Sequence, residues 1–305
     1  MPMTSQPYDI RPFAPSDAAD AAEAYRAGRP HQVTTPEVVS WQAALPDYHL
    51  LVAERAGRVV GTVRFGPVTE STTPHQGFLN LSVLPEHRGA GIGTALLAAG
   101  ERRLAALGVR DVHGWADGTP EALGFAAARG YRQGRAGRYS GLDLTAPLPP
   151  LPPTPPGVEL RTAADFLEDP YPIYLVDIDG TRAEPGDLEL DDQPYEGWLA
   201  EIWRRPDQDH TLTAVVLADG EPVAFSAAQT DGRHTYWSAF TATRSTHRGR
   251  GLAKLAKAHA LHRAKARGLT AAYTHNDAGN TPMLAINDWF GYRVCAEEWK
   301  HHKAL

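Results

Sequence analysis

The chain has 305 residues and a formal net charge of −6 at pH 7; 42% of its residues are hydrophobic and 22% are charged. This length accommodates one large domain or two domains of ordinary size. The negative charge argues against nucleic acid as a main partner, which usually leaves a basic footprint on the protein. The single cysteine, Cys295, excludes an intrachain disulfide and is typical of a reducing compartment.

Neither a secretory leader nor a membrane span is expected. The N-terminal stretch MPMTSQPYDIRPF has no apolar run, and no stretch of about 18 apolar residues occurs in the chain. We therefore expect a cytoplasmic protein that does not associate with membranes. The sequence predicts no metal site.

A proline-rich segment, APLPPLPPTPPG, covers residues 146–157 and predicts a boundary between two domains, residues 1–145 and 158–305. So many prolines favour a stiff polyproline II spacer, because proline cannot continue a helix or a central strand. The same composition suits a loop packed along a domain surface, and both interpretations are compatible with the sequence.

The order of predicted elements is the same on both sides of this linker. Each half begins with a short strand (YDIRPF, VELRT) and helix-start signals, followed by a hairpin at residues 50–66 or 213–229. A further strand follows (GFLNLSV, TYWSAFTAT), then a glycine-rich loop, a helix ending near Gly108 or Gly268, a strand, a helix and a late Gly-Tyr. The pattern predicts two similar α/β domains, each a mixed, mostly antiparallel sheet flanked by helices in an α+β sandwich.

The two glycine-rich loops, EHRGAGIGTALL and THRGRGLAKLAK, each open a helix. Glycine permits positive φ and close approach of a ligand to the backbone, and the first N–H groups of a helix attract anions. A Walker-type loop is excluded because neither copy ends in Gly-Lys-Ser/Thr. A dinucleotide fingerprint is excluded because Thr94 and Lys254 occupy the position of its third glycine.

What fits both loops is the pattern Arg-x-x-Gly-x-Gly/Ala, met by Arg88, Gly91 and Gly93 and again by Arg248, Gly251 and Ala253. With this pattern behind a strand, before a helix and upstream of a Gly-Tyr in both halves, the chain resembles a tandem member of the GNAT superfamily of acyl-CoA-dependent N-acyltransferases. The resemblance implies that the strand before each loop splays from its neighbour and that acetyl-CoA binds there.

The resemblance also implies which residues contact acetyl-CoA. A backbone N–H at the strand end, at Val83 or Thr243, would hold the thioester carbonyl in the manner of an oxyanion hole. The residues expected to bind the cofactor are Val83, Leu84, Arg88, Gly89, Ala90, Gly91, Ile92, Gly93, Thr94, Thr243, Arg248, Gly249, Arg250, Gly251, Leu252, Ala253, Asn280 and Asn287.

The two copies differ beyond the loop. Members of the family often carry an Asn near the adenine end of the cofactor and, seven residues later, a Tyr that acts as general acid. The second half has Asn280 and Asn287 at these positions, and the first half has Thr119 and Ala126. We therefore expect the second half to be the catalytic one.

The general acid and base cannot be read from a motif. Glu54, His234 and Tyr236 lie on or near strands that could border the cleft and are weak candidates. Residues 165–209 are rich in carboxylates and aromatic residues. Such a segment could attract a cationic amine by its charge and stack aromatic rings on that amine. A solvated surface segment whose aromatic residues belong to the core explains the same composition. The carboxylates are Asp177, Asp179, Glu184, Asp187, Glu189, Asp191, Asp192 and Glu196, and the aromatic residues are Tyr174, Tyr195, Trp198 and Trp203.

These observations favour an acetyl-CoA-dependent N-acetyltransferase that acts on a small, cationic amine by direct attack of the amine on the thioester. Two alternatives remain open at this point. One is a non-catalytic acyl-CoA-binding or scaffold protein with two degenerate domains, and the other is a protein or peptide N-acetyltransferase. A monomer and a homodimer are both compatible with the sequence.

Overall fold

The computed structural model describes residues 8–184, 188 and 190–305, which form two compact units. The first unit contains residues 8–136 and 298–305 together with Leu188 and Leu190, and the second contains residues 137–184 and 191–297. Each unit is a mixed, mostly antiparallel sheet flanked by helices, which confirms the predicted fold class.

The sheet of the first unit has the strand order β1-β2-β3-β4-β5-β12, numbered along the whole chain. Neighbouring strands are antiparallel except β4 and β5, which are parallel. The strands are β1 (Asp9–Pro12), β2 (His49–Arg55), β3 (Arg58–Pro67), β4 (Gln76–Val83), β5 (Asp111–Asp117) and part of β12 (Arg293–Ala304). The helices are α1 (Ala18–Gly28), α2 (Pro36–Ala43), α3 (Ile92–Ala106) and α4 (Pro120–Ala127).

The sheet of the second unit has the order β6-β11-β10-β9-β8-β7, with β10 and β11 as its parallel pair. Its strands are β6 (Arg132–Asp143), β7 (Val158–Thr162), β8 (Ala214–Ala218), β9 (Glu221–Thr230), β10 (Thr235–Thr243) and β11 (Ala271–Asp277). Its helices are α5 (Tyr171–Thr181), α6 (Tyr195–Trp198), which continues into a π-helical turn (Leu199–Trp203), α7 (Leu252–Ala266) and α8 (Thr281–Phe290).

Each unit has its own apolar core between the sheet and its helices. In the first unit Val63 of β3 packs with Leu96 and Leu104 of α3, and all three are fully buried. In the second unit Ala272 of β11 packs with Leu261 of α7, and both are fully buried. Burying a side chain such as Leu or Val contributes about 1.5–3 kcal/mol relative to exposure. This packing of the strands against the helices holds the strand ends and helix starts in place, and with them the loops that connect them.

The last strand of each sheet comes from the far side of the proline-rich linker. Residues 298–304 of β12 pair with Asp111–Asp117 of β5 in the first unit, and residues 137–143 of β6 pair with Ala271–Asp277 of β11 in the second. The compact units therefore differ from the halves 1–145 and 158–305, because each half of the sequence contributes a strand to the sheet built mainly from the other half.

The beginning of the proline-rich linker packs on α7 of the second unit. The Lys265 ammonium group donates to the carbonyl oxygens of Leu144, Thr145 (3.0 Å) and Ala146 (2.8 Å). The ring of His262 lies 2.9 Å from the carbonyl oxygen of Pro149. These contacts satisfy carbonyl groups that a proline-rich segment cannot pair in a sheet, and they correspond to the interpretation of a linker packed along a domain surface.

Two further properties concern the part of the chain that the structure describes. None of its helices combines the length and the apolarity required to cross a membrane. Its His, Cys, Asp and Glu side chains form no group of three or more that could hold a metal ion.

Candidate active site

In the first unit, the parallel strands β4 and β5 separate towards their C-terminal ends. Their register covers Gln76–Phe78 and Asp111–His113, although β4 continues to Val83. Just beyond the paired residues, the Asn80 side chain accepts a hydrogen bond of 2.9 Å from the backbone N–H of Trp115. A side chain thus replaces the main-chain ladder at the point where the strands part, and an opening forms between their ends.

The second unit has the same opening between β10 and β11. Thr235–Trp237 pair with Ala271–Tyr273, and the Thr274 hydroxyl then donates to the Ser238 carbonyl at 3.1 Å. Strand β10 is bulged against β9 directly after Ser238, whereas β4 keeps an unbroken register with β3. Bulges bend a strand and redirect its groups, and they are frequent beside active sites.

The end of β4 directs backbone groups of Val83 into the opening of the first unit. The N–H of Leu84 donates to Val60 at 3.0 Å, so Val83 and Gly61 form the alternate, non-hydrogen-bonded pair. The N–H and C=O of Val83 therefore point away from β3. The Arg88 guanidinium donates from Nε to that carbonyl at 3.1 Å and ties the loop to the strand end.

The end of β10 repeats this geometry. The N–H of Arg244 donates to Val223 at 2.8 Å, which leaves Thr243 opposite Ala224 as the non-hydrogen-bonded pair. The N–H of Thr243 therefore points towards the opening beside β11, and its carbonyl accepts from Arg248 Nε at 3.2 Å. The structure thus places both predicted strand-end residues, Val83 and Thr243, with their amides facing an opening.

In the second unit Asp179 of α5 also holds the motif arginine and the turn before it. Arg248 Nη2 donates to the Asp179 carbonyl at 3.0 Å. The Asp179 carboxylate accepts from the backbone N–H (2.6 Å) and the hydroxyl (3.0 Å) of Ser245. These bonds lower the pKa of Asp179 against the effect of its partial burial. The turn before the second glycine-rich loop is therefore anchored to α5.

Both glycine-rich loops adopt the backbone conformation that glycine makes accessible. Gly89 and Gly91 have φ of 76° and 83°, and Gly249 and Gly251 both have φ of 75°. For Gly89, Gly249 and Gly251, a Cβ atom would meet no described atom within 4 Å. The positive φ angles therefore favour glycine at these positions. Because glycine has no side chain, the loops also leave open space beside the backbone, which a diphosphate needs for close approach.

Helices α3 and α7 begin directly after these loops. Gly91 and Gly251 are the N-cap residues, and no described side chain caps either helix. Their first-turn N–H groups therefore lack intrahelical partners and favour an anion. At the third motif position, the Phe125 ring lies 3.4 Å from where a Cβ of Gly93 would stand. That is ordinary contact, consistent with the alanine at the equivalent position 253.

The two helix starts differ in charge. The second unit has Arg250 and Lys254 where the first has Ala90 and Thr94. Lys254 Nζ lies 3.5 Å from the ring centroid of Trp289 in α8, a cation–π geometry. The second loop thus adds two positive groups to the anion-binding end of its helix.

The family model of the acetyltransferase (GNAT) family matches residues 18–131 and again residues 166–292, together more than half of the chain. The chain belongs to the GNAT family. It is an N-acetyltransferase enzyme with a tandem arrangement, as the two sequence motifs predict. In both matched ranges the GNAT motif lies where the splayed strands end.

Individual relatives of this enzyme support its assignment to the GNAT family. Mycothiol acetyltransferase from Streptomyces coelicolor is 28% identical over 255 residues, which are 80% of this chain and 76% of that protein. A GCN5-related N-acetyltransferase from Sphaerobacter thermophilus has a TM-score of 0.71 at 22% identity, covering 97% of this chain and 95% of that one. A tandem GNAT protein from the clavulanic acid biosynthesis pathway has a TM-score of 0.75 at 20% identity, covering 97% and 98%. These two structures establish the shared fold.

Asn280, expected at the adenine end of the cofactor in this GNAT fold, forms the N-cap of α8. Its side-chain oxygen accepts from the N–H of Met283 at 3.3 Å. Thr119 accepts from Ala122 at the same distance and caps α4. The two residues therefore share a structural role, and contact between Asn280 and the cofactor stays a prediction.

Asn287, at the position where GNAT members often have a Tyr, is 2% exposed and bonded on both sides. Its Oδ1 accepts from Lys257 Nζ at 2.5 Å, and its Nδ2 donates to Asn276 Oδ1 at 2.7 Å. Lys257 is fully buried, and this desolvation lowers its pKa to about 7. Sequence reasoning did not single out Lys257 or Asn276, because a lysine on a helix usually indicates a solvated face.

The three acid–base candidates have different surroundings in the structure. Glu54, on β2, accepts from Arg11 Nε at 2.8 Å. Tyr236 is fully buried in the apolar core of the second unit, and burial raises its pKa. His234 is exposed at the start of β10, the end opposite to Thr243. His234 and Tyr236 are thus at the end of β10 opposite to Thr243, whereas Glu54 is at the same end of its sheet as Val83 and is engaged by Arg11.

A polar group that the sequence did not reveal lies at the C-terminal end of β5. Asp117 is partly buried, which raises its pKa, and the charge of Arg29 opposes this effect. Arg29 Nη2 pairs with Glu298 Oε2 at 3.1 Å, and Glu298 lies opposite Asp117 in register. No local motif signals this group, because Glu298 reaches the first unit through the exchanged strand β12.

The aromatic residues of the acidic segment pack on one another. Ring centroids of Tyr174 and Trp198 are 5.6 Å apart, and those of Trp198 and Trp203 are 5.4 Å apart. Trp198 Nε1 donates to Asp177 at 3.1 Å, and burial raises the pKa of this carboxyl to about 6. These rings therefore form part of a core cluster. Asp187 and Glu189 lie outside the described residues.

Proposed function

We propose that this chain transfers the acetyl group of acetyl-CoA to the amino group of a small, cationic molecule, and that its second unit carries out the reaction. The observation on which the proposal depends is the arrangement at the end of β10. There, the Thr243 N–H faces an opening between parallel strands, directly before a bare glycine loop and the uncapped start of α7.

The residues of this arrangement fit an acyl-CoA. The first-turn amides of α7, with Arg250 and Lys254 nearby, offer a diphosphate both hydrogen-bond donors and positive charge. The opening between β10 and β11, where the strands stop pairing, would hold the extended arm of the cofactor. When bound, acetyl-CoA supplies an activated acyl thioester. The Thr243 N–H would donate to the carbonyl oxygen of that thioester and stabilise the negative charge that develops during amine attack.

Three features favour the second unit over the first. Strand β10 carries the bulge that β4 lacks. The loop of the second unit has Arg250 and Lys254, whereas that of the first has neutral residues. Asn287 belongs to a polar network, whereas the equivalent Ala126 is apolar. We assign to the first unit a supporting role with its own acetyl-CoA site.

The cationic class of the acceptor rests on charge. Asp169, Asp191 and Glu196 are exposed in the acidic segment of the second unit, and exposed carboxylates steer a cation towards a nearby cleft. Asp192 contributes less, since it is paired with Arg182 at 2.9 Å. The relative named mycothiol acetyltransferase supports an acceptor that is a small molecule rather than a peptide.

A non-catalytic acyl-CoA-binding protein is the alternative that a specific observation favours. Neither unit has a Tyr at the general-acid position, which Ala126 and Asn287 occupy. The alternative predicts cofactor binding without turnover, and it is therefore separated from the enzyme by assay.

Calorimetric titration of the full chain with acetyl-CoA, followed by assay of thiol release with a panel of cationic amines, tests the proposal. Arg248→Glu should weaken binding at one site and remove turnover, because it places a carboxylate beside the diphosphate. Arg88→Glu should weaken binding at a second site with turnover retained. Arg233→Glu, an exposed charge reversal in the turn before β10, is the matched control.

The outcomes are distinct. Binding without turnover on any amine would favour the scaffold alternative. Turnover that follows Arg88→Glu rather than Arg248→Glu would assign the reaction to the first unit. Turnover on peptide N-termini but on no small amine would contradict the proposed acceptor class.

A further inference from the structure

The second unit buries a lysine where the first unit has a leucine. Lys257 and Leu97 occupy the same position, five residues after the first residue of α7 and of α3. Lys257 is fully buried, and Leu97 is 5% exposed. The same fold therefore packs well with an apolar side chain at this place, and the fold alone does not require a lysine.

Lys257 begins a chain of side-chain hydrogen bonds that crosses from α7 through α8 to β11. Lys257 Nζ donates to Asn287 Oδ1 at 2.5 Å, and Asn287 Nδ2 donates to Asn276 Oδ1 at 2.7 Å. The equivalent positions of α4 and β5 are Ala126 and Ala116. The entire polar chain is thus a feature of the second unit, against three apolar residues in the first.

The chain has a fixed direction. Lys257 Nζ donates to Asn287 Oδ1, so the carbonyl side of the Asn287 amide faces the lysine. The NH2 group of Asn287 then faces Asn276 and donates to the side-chain oxygen of Asn276. The NH2 group of Asn276 consequently becomes the terminal donor of the chain.

Asn276 lies beside the opening. The last residue of β11 that pairs with β10 is Tyr273, and Thr274 bridges to Ser238 where the strands part. Asn276 is two residues further along and is partly exposed. Because side chains alternate along a strand, Asn276 is on the same face as Thr274, which is the face covered by α8.

We propose that Lys257 is a positioning residue, which orients the amides of Asn287 and Asn276 so that the Asn276 NH2 group donates to a carbonyl oxygen of the acyl-thioester arm in the opening between β10 and β11. This inference rests on the proposed function of the second unit. Asn276 contacts the arm, and Lys257 acts on it through Asn287.

The test measures acetyl-CoA binding by calorimetry and KM for acetyl-CoA with full-length variants. Asn276→Ala, Lys257→Leu and Asn287→Ala should each weaken binding at the second-unit site about tenfold, the effect expected for one lost hydrogen bond. Asn287→Asp keeps a partner for Lys257 but removes the donor to Asn276, and it should weaken binding equally. Lys265→Met, on the same helix, should leave binding unchanged.

A double-mutant cycle separates positioning from general structural damage. If Lys257 acts through Asn276, adding Lys257→Leu to Asn276→Ala causes no further loss. Independent, multiplying losses would overturn the inference. The triple variant Lys257→Leu, Asn287→Ala, Asn276→Ala copies the apolar set of the first unit and should fold while binding as weakly as Asn276→Ala alone.

Failure of this inference is distinguishable from failure of the proposed function. If Arg248→Glu abolishes one site while Lys257→Leu and Asn276→Ala bind acetyl-CoA like the wild type, the positioning role is wrong and the cofactor site stands. If neither Arg248→Glu nor any of these variants changes binding, the cofactor site itself is wrongly assigned.

Discussion

Replacing the buried Lys257 with leucine should stabilise the chain at neutral and acidic pH. Burial lowers the pKa of Lys257 from 10.5 to about 7, and this difference corresponds to roughly 5 kcal/mol of unfavourable burial of the charged form. The replacement also leaves the Asn287 side-chain oxygen without its donor, which costs about 1–3 kcal/mol. The expected net increase in the free energy of unfolding is about 2–4 kcal/mol.

The effect depends on pH with a definite sign. The folded-state pKa of Lys257 is lowered, so between about pH 7 and 10.5 the unfolded chain binds more protons at this residue than the folded chain. The stability of the wild type therefore rises with pH across this range relative to the variant. The advantage of the leucine is complete below about pH 7, vanishes at about pH 8–10, and reverses at higher pH, where the lost hydrogen bond to Asn287 outweighs the remaining cost of burying the charge.

Urea denaturation of the wild type and Lys257→Leu at pH 6.5, 8 and 9.5 measures this difference. Lys254→Leu, on the same helix but only half-buried, controls for the general effect of removing a lysine. A Lys257→Leu variant that is destabilised at pH 6.5, or a difference that does not change with pH, would refute the reasoning. The first result would mean that the lysine contributes to stability, and the second that its protonation is not coupled to folding.

Three other perturbations have defined outcomes. Gly251→Ala should lower the melting temperature and weaken acetyl-CoA binding, because φ of 75° strains an L-residue by about 1 kcal/mol. Gly93→Ala is the control and should fold and bind normally, since the second unit has an alanine at the equivalent position 253. Calorimetry measures the melting temperature and the binding of both variants. Asp177→Asn should stabilise the chain at pH 8 more than at pH 5, since the folded-state pKa of about 6 means that the cost of ionising this carboxyl develops between about pH 4 and 6; equal effects at both pH values in chemical denaturation would contradict this. Residues 1–145 expressed alone should unfold at lower urea concentration than the full chain, because they lack the β12 strand; an unchanged midpoint would show that this strand contributes no stability.

The features of the site that the sequence predicted are those that local chemistry determines. The glycines at 89, 91, 249 and 251 need positive φ, and a strand followed by such a loop and a helix has few alternative geometries. A separate expectation, taken from the resemblance to the GNAT superfamily, concerns the Val83 and Thr243 amides, whose directions follow from the pairing of β4 with β3 and of β10 with β9. The prediction of the glycine conformations needed no knowledge of contacts between distant parts of the chain.

The features that escaped prediction depend on distant contacts. The sequence pattern around Lys257 is typical of a surface residue on an amphipathic helix, but α8 packs over this lysine in the fold. The sequence places Tyr236 on a strand that could border the cleft, but the alternation of side chains along β10 directs its ring into the core. Glu298 is remote in sequence from Arg29 and Asp117, and only strand pairing brings them together. Periodicity shows which face of an element is buried but not which partner lies against it.

The exchange of β6 and β12 has a consequence for biosynthesis. A nascent chain emerges from its N-terminus, and domains generally fold in that order. Here, β5 pairs with residues 298–304, so this edge of the first unit stays unpaired until those residues have left the ribosome. Unpaired edges are templates for aggregation. The N-terminal unit is thus completed only after the second unit has been synthesised, and the loss of residues 298–304 would damage a part of the protein that is synthesised early.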